Sequence, residues 1–281
     1  MPVAGGSRFS VTFWGTRGSI ACAGPHTVKY GGNTSCLEVL CGDERLIFDA
    51  GSGLPMLGRH ILAKEGPVNS QVFLTHTHLD HIIGMPFFAL FHIPGLTVPV
   101  YAGHLKPVGM TLHGVLSDMM RAPLFPVPPE IFGANVSFND FESGEDLHPL
   151  EGVRLRTAPL NHPNGACGYR IEYGGKAIAY ITDTEHYPDR LDERVLALVQ
   201  DAQIMIYDAT YTDEEYEKFV GFGHSTWQEG IKLADAANVE TLVIFHHDPS
   251  HTDDMMDKIA ADVADARPGT IVAREGLTLS L

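Results

Sequence analysis

Residues 75–81 read Thr-His-Thr-His-Leu-Asp-His and directly follow the strand-like segment QVFL at 71–74. Three imidazoles and one carboxylate in so short a stretch have no packing rationale, because each is costly to bury without a partner. Metal ions would supply those partners. In an extended turn, His76 and His78 can point to the same side and hold one ion, while Asp80 and His81 turn towards a second ion. Such nitrogen and oxygen donors favour zinc, with manganese or iron as competitors.

The ligands that this stretch lacks are predicted at the ends of other strands. His162 closely follows the apolar run RLRTAPL, Asp183 ends AIAYITD, and His246 directly follows TLVIF. Each of these residues, taken alone, is more typical of a structural polar group that is satisfied by hydrogen bonds. Their shared position at strand ends favours one common site instead, because the loops that follow buried strands often carry active sites.

Strand patterns and helix patterns alternate along the chain. Segments 9–14 and 37–48 have the residue types of a β meander. Three apolar runs, at 45–53, 177–185 and 203–211, each contain an aspartate that follows the apolar residues, which makes Asp49, Asp183 and Asp208 site candidates. Apolar residues recur at helical spacing over 189–200, 227–237 and 253–264. This order predicts an α/β fold, and the absence of a linker-like stretch predicts a single hydrolase domain over 1–281.

The composition is that of a globular protein that needs no disulfide bonds. A chain of 281 residues buries enough surface for a full hydrophobic core. Its four cysteines form no C-x-x-C pair, so neither a disulfide framework nor a cysteine zinc site is expected. No apolar stretch resembles a signal peptide or approaches the ~20 residues of a membrane span. A cytoplasmic protein without a membrane partner is therefore expected.

The net charge bears on the partners of the protein. Nineteen Lys and Arg residues against 35 Asp and Glu residues give a formal charge of −16. This charge repels polyanions at long range, so no large nucleic acid partner is expected. Bound divalent ions would nevertheless make one site locally cationic, which leaves room for a small anionic substrate.

Two irregular segments have open roles. Residues 15–36 are rich in glycine and polar residues, which suits either a structured loop close to a ligand or a surface loop without a task. Residues 85–135 combine many prolines with Phe, Met and Leu. That segment can cap a pocket, form a subunit interface or pack as plain scaffold, and the sequence does not decide among the three.

Six segments carry a family resemblance in their order along the chain: LIFDAGSG, HTHLDH, NHP, ITDT, GHSTWQEGIKLA and LVIFH. In them the chain resembles the metallo-β-lactamase fold superfamily, in the phosphodiesterase branch that contains ribonuclease Z. The GHSTWQ segment, preceded by DATYTDEE, is the most telling, since ribonuclease Z and its relatives place a catalytic histidine in the matching H-S-T segment. The chain is also similar to the cyclic phosphodiesterase of bacterial phosphonate breakdown. HTHLDHIIG resembles the start of the class II cyclic-nucleotide phosphodiesterase signature, from which Pro86 departs.

The resemblance implies a four-layer αβ/βα sandwich, two divalent metal ions and a homodimer. The implied ligands are His76, His78 and His162 for the first ion, and Asp80, His81 and His246 for the second, with Asp183 bridging. Asp49 would accept an N–H bond from a ligand histidine. Asp80 would also orient the nucleophile, and His224 would face the substrate as a catalytic residue. His246 is favoured as the ligand over His247, because the ligand in the relatives directly follows the strand; His247 would then touch substrate or solvent.

Two departures from ribonuclease Z bear on the substrate. The long basic arm with which ribonuclease Z grips transfer RNA has no counterpart here, and Leu79 stands where a small glycine is usual. Together with the charge, they predict a phosphodiesterase for a small, nucleotide-like diester, with cyclic nucleotides among the candidates. Hydroxide activated by two metal ions would attack this diester. Two alternatives stay open. One is hydrolysis of a thioester, lactone or β-lactam on the same fold, and the other is a non-hydrolytic metal-dependent binding or accessory protein.

Overall fold

The structure, a computed structural model, describes residues 8–281. The strands in this range are β1 (Phe9–Gly15), β2 (Cys36–Cys41), β3 (Glu44–Phe48), β4 (Gln71–Leu74), β5 (Thr97–Ala102), β6 (Asn135–Asp140), β7 (Leu147–Leu150), β8 (Val153–Leu160), β9 (Ala166–Tyr173), β10 (Lys176–Ile181), β11 (Ile204–Asp208), β12 (Thr241–Phe245), β13 (Ile271–Val272) and β14 (Thr278–Ser280). The helices are α1 (Leu54–Lys64), α2 (Leu79–Ile82), α3 (Leu112–Met119), α4 (Glu193–Val199), α5 (Asp213–Tyr216), α6 (Trp227–Ala236) and α7 (Asp253–Ala266).

The strands form two mixed sheets with the same plan. The first sheet has the order β14-β1-β2-β3-β4-β5-β6, and the second has the order β13-β12-β11-β10-β9-β8-β7. In each sheet, an antiparallel meander leads into parallel strands, from β3 to β6 in the first and from β10 to β13 in the second. Parallel neighbours require crossover connections, and helices supply several of them.

Three apolar layers hold the sheets and helices together. Between the sheets, the ring of Phe48 stacks on Phe73 at 5.5 Å and meets Tyr169 edge-on at 5.2 Å. On the outer face of the first sheet, Leu57 of α1 is fully buried, and on that of the second, Leu233 of α6 is buried. The protein is therefore an α/β four-layer αβ/βα sandwich, which confirms the predicted fold class.

The carboxyl ends of the parallel strands position the polar residues singled out above. Asp49 follows β3, His76 follows β4 by two residues, Asp183 follows β10 by two residues, and His246 directly follows β12. Asp208 is the last residue of β11. The site is thus built at strand ends, where open α/β sheets commonly bind their ligands.

The structure corrects the start of one predicted helix and bears on one segment whose role was open. The helix predicted over 189–200 begins only at Glu193, because the Asp192 carboxylate accepts a hydrogen bond from the backbone N–H of Arg194 and so caps the first turn. Within 85–135, Phe88 and Leu116 are fully buried against the first sheet, so much of this segment is scaffold. Across residues 8–281, no helix has the length and apolar character needed to span a bilayer.

Candidate metal centre

Two groups of potential ligand atoms lie side by side at these strand ends. The members of each group offer ligand atoms within 4.8 Å of one another: His76, His78 and His162 in the first, and Asp80, His81, Asp183 and His246 in the second. The structure thus brings together every residue that the sequence nominated as a metal ligand. Helix α2 begins at Leu79, directly after His78, and carries Asp80 and His81 of the second group.

Asp183 lies between the two groups. Its Oδ1 is 3.7 Å from Nε2 of His76 and 3.8 Å from Nε2 of His162. Its Oδ2 is 3.2 Å from Nε2 of His81 and 3.3 Å from Nε2 of His246. A carboxylate with one oxygen directed at each group has the arrangement that a ligand shared by two ions requires.

Hydrogen bonds at Nδ1 orient two of the histidines. The carbonyl oxygen of Gly223 accepts a hydrogen bond from Nδ1 of His162 at 2.8 Å. Because a carbonyl can only accept, the proton is on Nδ1 and the lone pair of Nε2 is free. Nδ1 of His81 lies 2.9 Å from Oδ2 of Asp49, in the position predicted for Asp49. Asp49 is itself held by the backbone N–H of Thr75 and the hydroxyl of Tyr180, each at 2.8 Å.

Thr210 orients His246 in the same way, through a hydrogen bond at Nδ1. Its Oγ1 lies 3.1 Å from Nδ1 of His246 and donates to Oδ1 of Asp208 at 2.8 Å. A hydroxyl that gives its one proton to a carboxylate accepts from the imidazole N–H, so Nε2 of His246 is left with a free lone pair. The second group therefore also presents an unprotonated ring nitrogen.

These side chains fit divalent metal ions. The Nε2 atoms of His76, His81 and His246 are buried, and none has a hydrogen-bond partner among residues 8–281. Buried ring nitrogens without partners are costly unless a cation lies among them. Imidazole and carboxylate donors are the ligand types of zinc sites.

The charge of the cluster supports the same conclusion. Asp49, Asp80, Asp183 and Asp208 are all buried, and within the described part of the chain their ion-pair partners are histidines rather than Lys or Arg. Burial by itself raises the pKa of Asp80, but the neighbouring His81 and His246 hold that pKa well below its usual range. An ionised, buried carboxylate cluster of this kind attracts cations.

His224 lies beside the cluster and is backed by Asp208. Its Nδ1 is 2.9 Å from Oδ2 of Asp208 and 3.8 Å from Oδ1 of Asp183, and its ring stacks on His246 with centroids 5.0 Å apart. Burial lowers the pKa of His224, but the nearby carboxylates, Asp208 first, raise it to about 9. The sequence nominated Asp208 as a site candidate without a role, and the structure places it as the acceptor that fixes this imidazole.

The loop at 15–36 packs directly against the cluster. The backbone N–H of Ser19 donates to Oδ2 of Asp80 at 2.8 Å. A Cβ atom at Gly18 would lie 2.5 Å from the ring of His246, so the close approach requires glycine there. Arg17 anchors the loop, because its buried guanidinium donates to the carbonyl oxygens of Gly31 and His251. Of the two roles left open for this loop, the structure agrees with the one close to the site.

Three site residues share an unusual backbone conformation. Asp49, Asp183 and His246 have φ of 59°, 57° and 62°, in the left-handed region. Non-glycine residues occupy this region at a cost and cluster at functional sites, where the surrounding structure imposes the conformation. The same turn thus ends β3, β10 and β12 and directs a side chain into the cluster each time.

His247 does not take the place suggested for it. It is fully buried, and its Nε2 donates to the carbonyl oxygen of Ala273 at 2.8 Å. Burial, the largest cause, lowers its pKa to about 3. A substrate has no access to His247 in this structure, so the suggested contact with substrate or solvent is wrong. The reason is that the loop at 15–36 covers His247, whose backbone N–H donates to the carbonyl oxygen of Thr16 and whose carbonyl oxygen accepts from the N–H of Gly18.

Sequence reasoning missed several residues that support the site. Thr210 and the carbonyl of Gly223 orient two of the nominated histidines, and Glu185 accepts the backbone N–H groups of Gly221 and Gly223. Thr210 contacts a histidine that lies 36 positions along the chain, so no local pattern could reveal the pair. The only signal in the sequence was that these residues adjoin Asp208, Asp183 and the H-S-T segment.

Comparisons with known proteins show a family match and a similar fold. Residues 44–247 match the family described as Beta-lactamase superfamily domain. The Ribonuclease Z of Gemmatimonas aurantiaca is 24% identical, over 91% of this chain and 92% of that protein. Among solved structures, the metallo-β-lactamase fold protein YhfI of Bacillus subtilis superposes with a TM-score of 0.72 at 18% identity, over 98% of this chain and 100% of the other. A diphosphatase of the PhnP family gives a TM-score of 0.70 at 18% identity, over 98% of each chain.

These relatives correct the expectation about partners. Curated relatives from several organisms are named Ribonuclease Z, which identifies them as enzymes acting on RNA, and they match this chain over nearly its whole length. The expectation of no large nucleic acid partner is therefore wrong. It rested on the net charge of the whole chain, which does not describe the surface around one site.

Proposed function

Because the chain belongs to the family of β-lactamase superfamily domains, we propose that it is a metal-dependent phosphodiesterase with two divalent ions in the described cluster. The family match, together with the ribonuclease and diphosphatase names of similar proteins, supports a metal-dependent hydrolase. The observation that carries the proposal is the position of Asp183, whose two oxygens are directed at two separate groups of donors.

The proposed ligands divide as the distances do. They are His76, His78 and His162 for one ion, Asp80, His81 and His246 for the other, and Asp183 for both. Zinc is proposed because imidazole nitrogens dominate the set, with manganese or iron as competitors. When bound, two such ions would polarise a phosphoryl oxygen and lower the pKa of water.

The protein groups around the cluster are suited to moving protons. With Nδ1 of His224 held by Asp208, Nε2 is the atom left to face a substrate. A protonated His224 can donate a hydrogen bond to the phosphate and pass the Nε2 proton to the departing alkoxide. Asp208 acts through His224 as a positioning residue. Oδ2 of Asp80, fixed by the N–H of Ser19, can accept a hydrogen bond from the attacking water and orient it.

The proposed substrate is a small nucleotide-like phosphodiester, with cyclic nucleotides among the candidates. The likeness to a diphosphatase of the PhnP family favours a compact substrate. RNA is the second candidate, favoured by the relatives named Ribonuclease Z that match the chain almost end to end. Both substrates contain the same phosphodiester bond, so the same residues serve in either case.

One activity screen tests the proposal. Protein loaded with zinc or manganese should hydrolyse bis(p-nitrophenyl) phosphate well above a control in excess chelator. Parallel assays with cyclic nucleotides and with a precursor transfer RNA assign the substrate. A panel of lactones and thioesters serves as the contrast. The absence of phosphodiester turnover above the chelated control, or a clear advantage for lactones or thioesters, would contradict the proposal.

A further inference from the structure

An exposed aromatic ring stands in a rigid turn next to the metal centre. Phe222 is 60% exposed, although it immediately precedes the buried Gly223 and His224. The two flanking glycines, Gly221 and Gly223, have φ of 90° and 88°, so this turn depends on glycine at both positions. Its carbonyl at Gly223 accepts the hydrogen bond from Nδ1 of His162, which ties the turn to one of the proposed ligands.

Glu185 holds this turn in place through hydrogen bonds. Its carboxylate accepts hydrogen bonds from the backbone N–H groups of Gly221 and Gly223, each at 2.8 Å, and from the hydroxyl of Tyr216 at 2.9 Å. The N–H of Phe222 donates to the carbonyl oxygen of Phe219. Three consecutive N–H groups are thus satisfied inside the protein, and the carboxylate that holds two of them lies two residues after Asp183.

A chain of aromatic contacts fixes the ring relative to His224. Phe222 meets Phe219 edge-on, with centroids 5.8 Å apart and planes at 82°. Phe219 stacks on Tyr211 at 4.6 Å, with planes 8° apart, and Tyr211 meets His224 edge-on at 6.1 Å. The position of the exposed ring is therefore coupled to that of the imidazole that faces the substrate.

Burial of the exposed apolar ring of Phe222 against a ligand would be favourable. The turn holds this ring beside the candidate metal centre. This arrangement suits a ligand that has a flat apolar part next to an anionic part. Aromatic faces stack on nucleobases and aryl rings regardless of base identity. The phosphate itself would be bound by the two proposed metal ions.

We propose that Phe222 is a specificity-determining residue that stacks on the nucleobase or aryl group adjoining the scissile phosphodiester. This inference rests on the proposed phosphodiesterase function. The base can belong to a mononucleotide or to the end of an RNA, because the stacking chemistry is shared.

The test measures binding of two ligands that differ only in the base. Calorimetry on the metal-loaded protein compares adenosine 5′-monophosphate with ribose 5-phosphate. The parent should bind the nucleotide about fivefold or more tightly than the sugar phosphate, and Phe222→Ala should abolish this preference while leaving the affinity for ribose 5-phosphate unchanged. Phe222→Trp should keep the preference of the parent for the nucleotide, because an indole ring also stacks on a base. Phe87→Ala is the matched control, because Phe87 is also 60% exposed and meets its aromatic neighbour, Phe125, edge-on at 5.7 Å.

Kinetics with two substrates identify the source of the base. Phe222→Ala should lower kcat/KM about fivefold or more on a cyclic nucleotide, on a precursor transfer RNA, or on both. The substrate whose kcat/KM falls is the one that supplies the stacked base. Three results would overturn the inference alone. In the first, the parent hydrolyses phosphodiesters but shows no base preference, and in the second, Phe222→Ala keeps that preference. In the third, the variant lowers the affinities for both ligands by the same factor. A parent that neither binds the ligands nor cleaves a phosphodiester would overturn the proposed function and this inference together.

Discussion

Three of the proposed ligand histidines at the candidate metal centre have a partner that limits their rotation. The Gly223 carbonyl holds His162, the Thr210 hydroxyl holds His246, and Asp49 lies against His81. Such partners select the tautomer that leaves a lone pair for the ion and raise the basicity of the ligand. Asp183 differs from these residues, because both of its oxygens are turned to the ligand groups.

Replacing Asp183 should therefore affect both ions together. We expect Asp183→Ala to retain less than one ion per chain by elemental analysis and to lose its activity, since neither group keeps its shared oxygen donor. Asp201→Ala is the matched control, because Asp201 is also left-handed, with φ of 53° against 57°, but exposed and outside the cluster. Full occupancy and activity in Asp183→Ala would show that the bridging assignment is wrong.

His224 should matter for chemistry and not for metal content. We expect His224→Ala to keep its ions and its Tm but to lose ~10²–10⁴ in kcat on diesters with poor leaving groups, because a general acid is missing. The loss should be smaller with p-nitrophenolate, which departs without a proton. Steady-state kinetics on the two substrate types provide the comparison. Equal activity of variant and parent on a poor-leaving-group diester would remove His224 from the mechanism.

At the scale of elements, the loops that close over the strand ends bring backbone against the ligands. Gly18 lies against His246, and Gly223 lies against His162, where an added Cβ atom would be 2.3 Å from Nδ1. These loops lie far apart in the sequence. The ligand geometry thus depends on two connections as well as on the strands that carry the histidines.

Two glycine variants distinguish the effect of steric contact with His162 from the effect of backbone strain. Gly223→Ala should displace His162 and lower the metal affinity about 10–100-fold, the effect expected when a ligand loses its supporting contact. Gly221→Ala carries the same left-handed strain, with φ of 90° against 88°, but its Cβ would meet nothing within 4 Å. Metal titration of both variants tests this. Identical metal affinities would mean that contact with His162 is unimportant.

Much of this element plan follows from the sequence. Apolar runs that end in Asp49, Asp183 or His246 predict buried strands with polar ends, because few other patterns place a charge directly after aliphatic residues. The supporting contacts do not follow, since Thr210 and His246 are brought together by the pairing of β11 with β12. The start of α4 was also missed, because the Asp192 cap competes with the apolar periodicity that precedes it.

For the molecule as a whole, the buried carboxylates link metal binding to stability. Ions that bind the folded state alone stabilise it by about 2.7 kcal/mol at a free concentration of 100 times Kd. We therefore expect a chelator to lower the Tm by several degrees, and readdition of zinc to restore it. Thermal unfolding followed by circular dichroism, with and without zinc, measures the shift. A Tm that is indifferent to both chelator and zinc would argue against bound ions.

The net charge of −16 shows where reasoning from the whole chain fails. It correctly describes an acidic protein, but it led to the wrong expectation about RNA, because relatives named Ribonuclease Z match the same sequence. Charge acts on partners through the local field at the site as well as through the total. The residues around His76 and Asp183 predicted the type of chemistry, which the total charge did not.

The number of metal ions per chain is the most direct test of the central claim, that Asp183 joins two adjacent metal sites. Elemental analysis of the full-length protein, reconstituted with zinc and freed of unbound metal by gel filtration, gives this number. The geometry predicts about two ions per chain, as in two-metal hydrolytic sites. One ion per chain or none, in correctly folded protein, would contradict it.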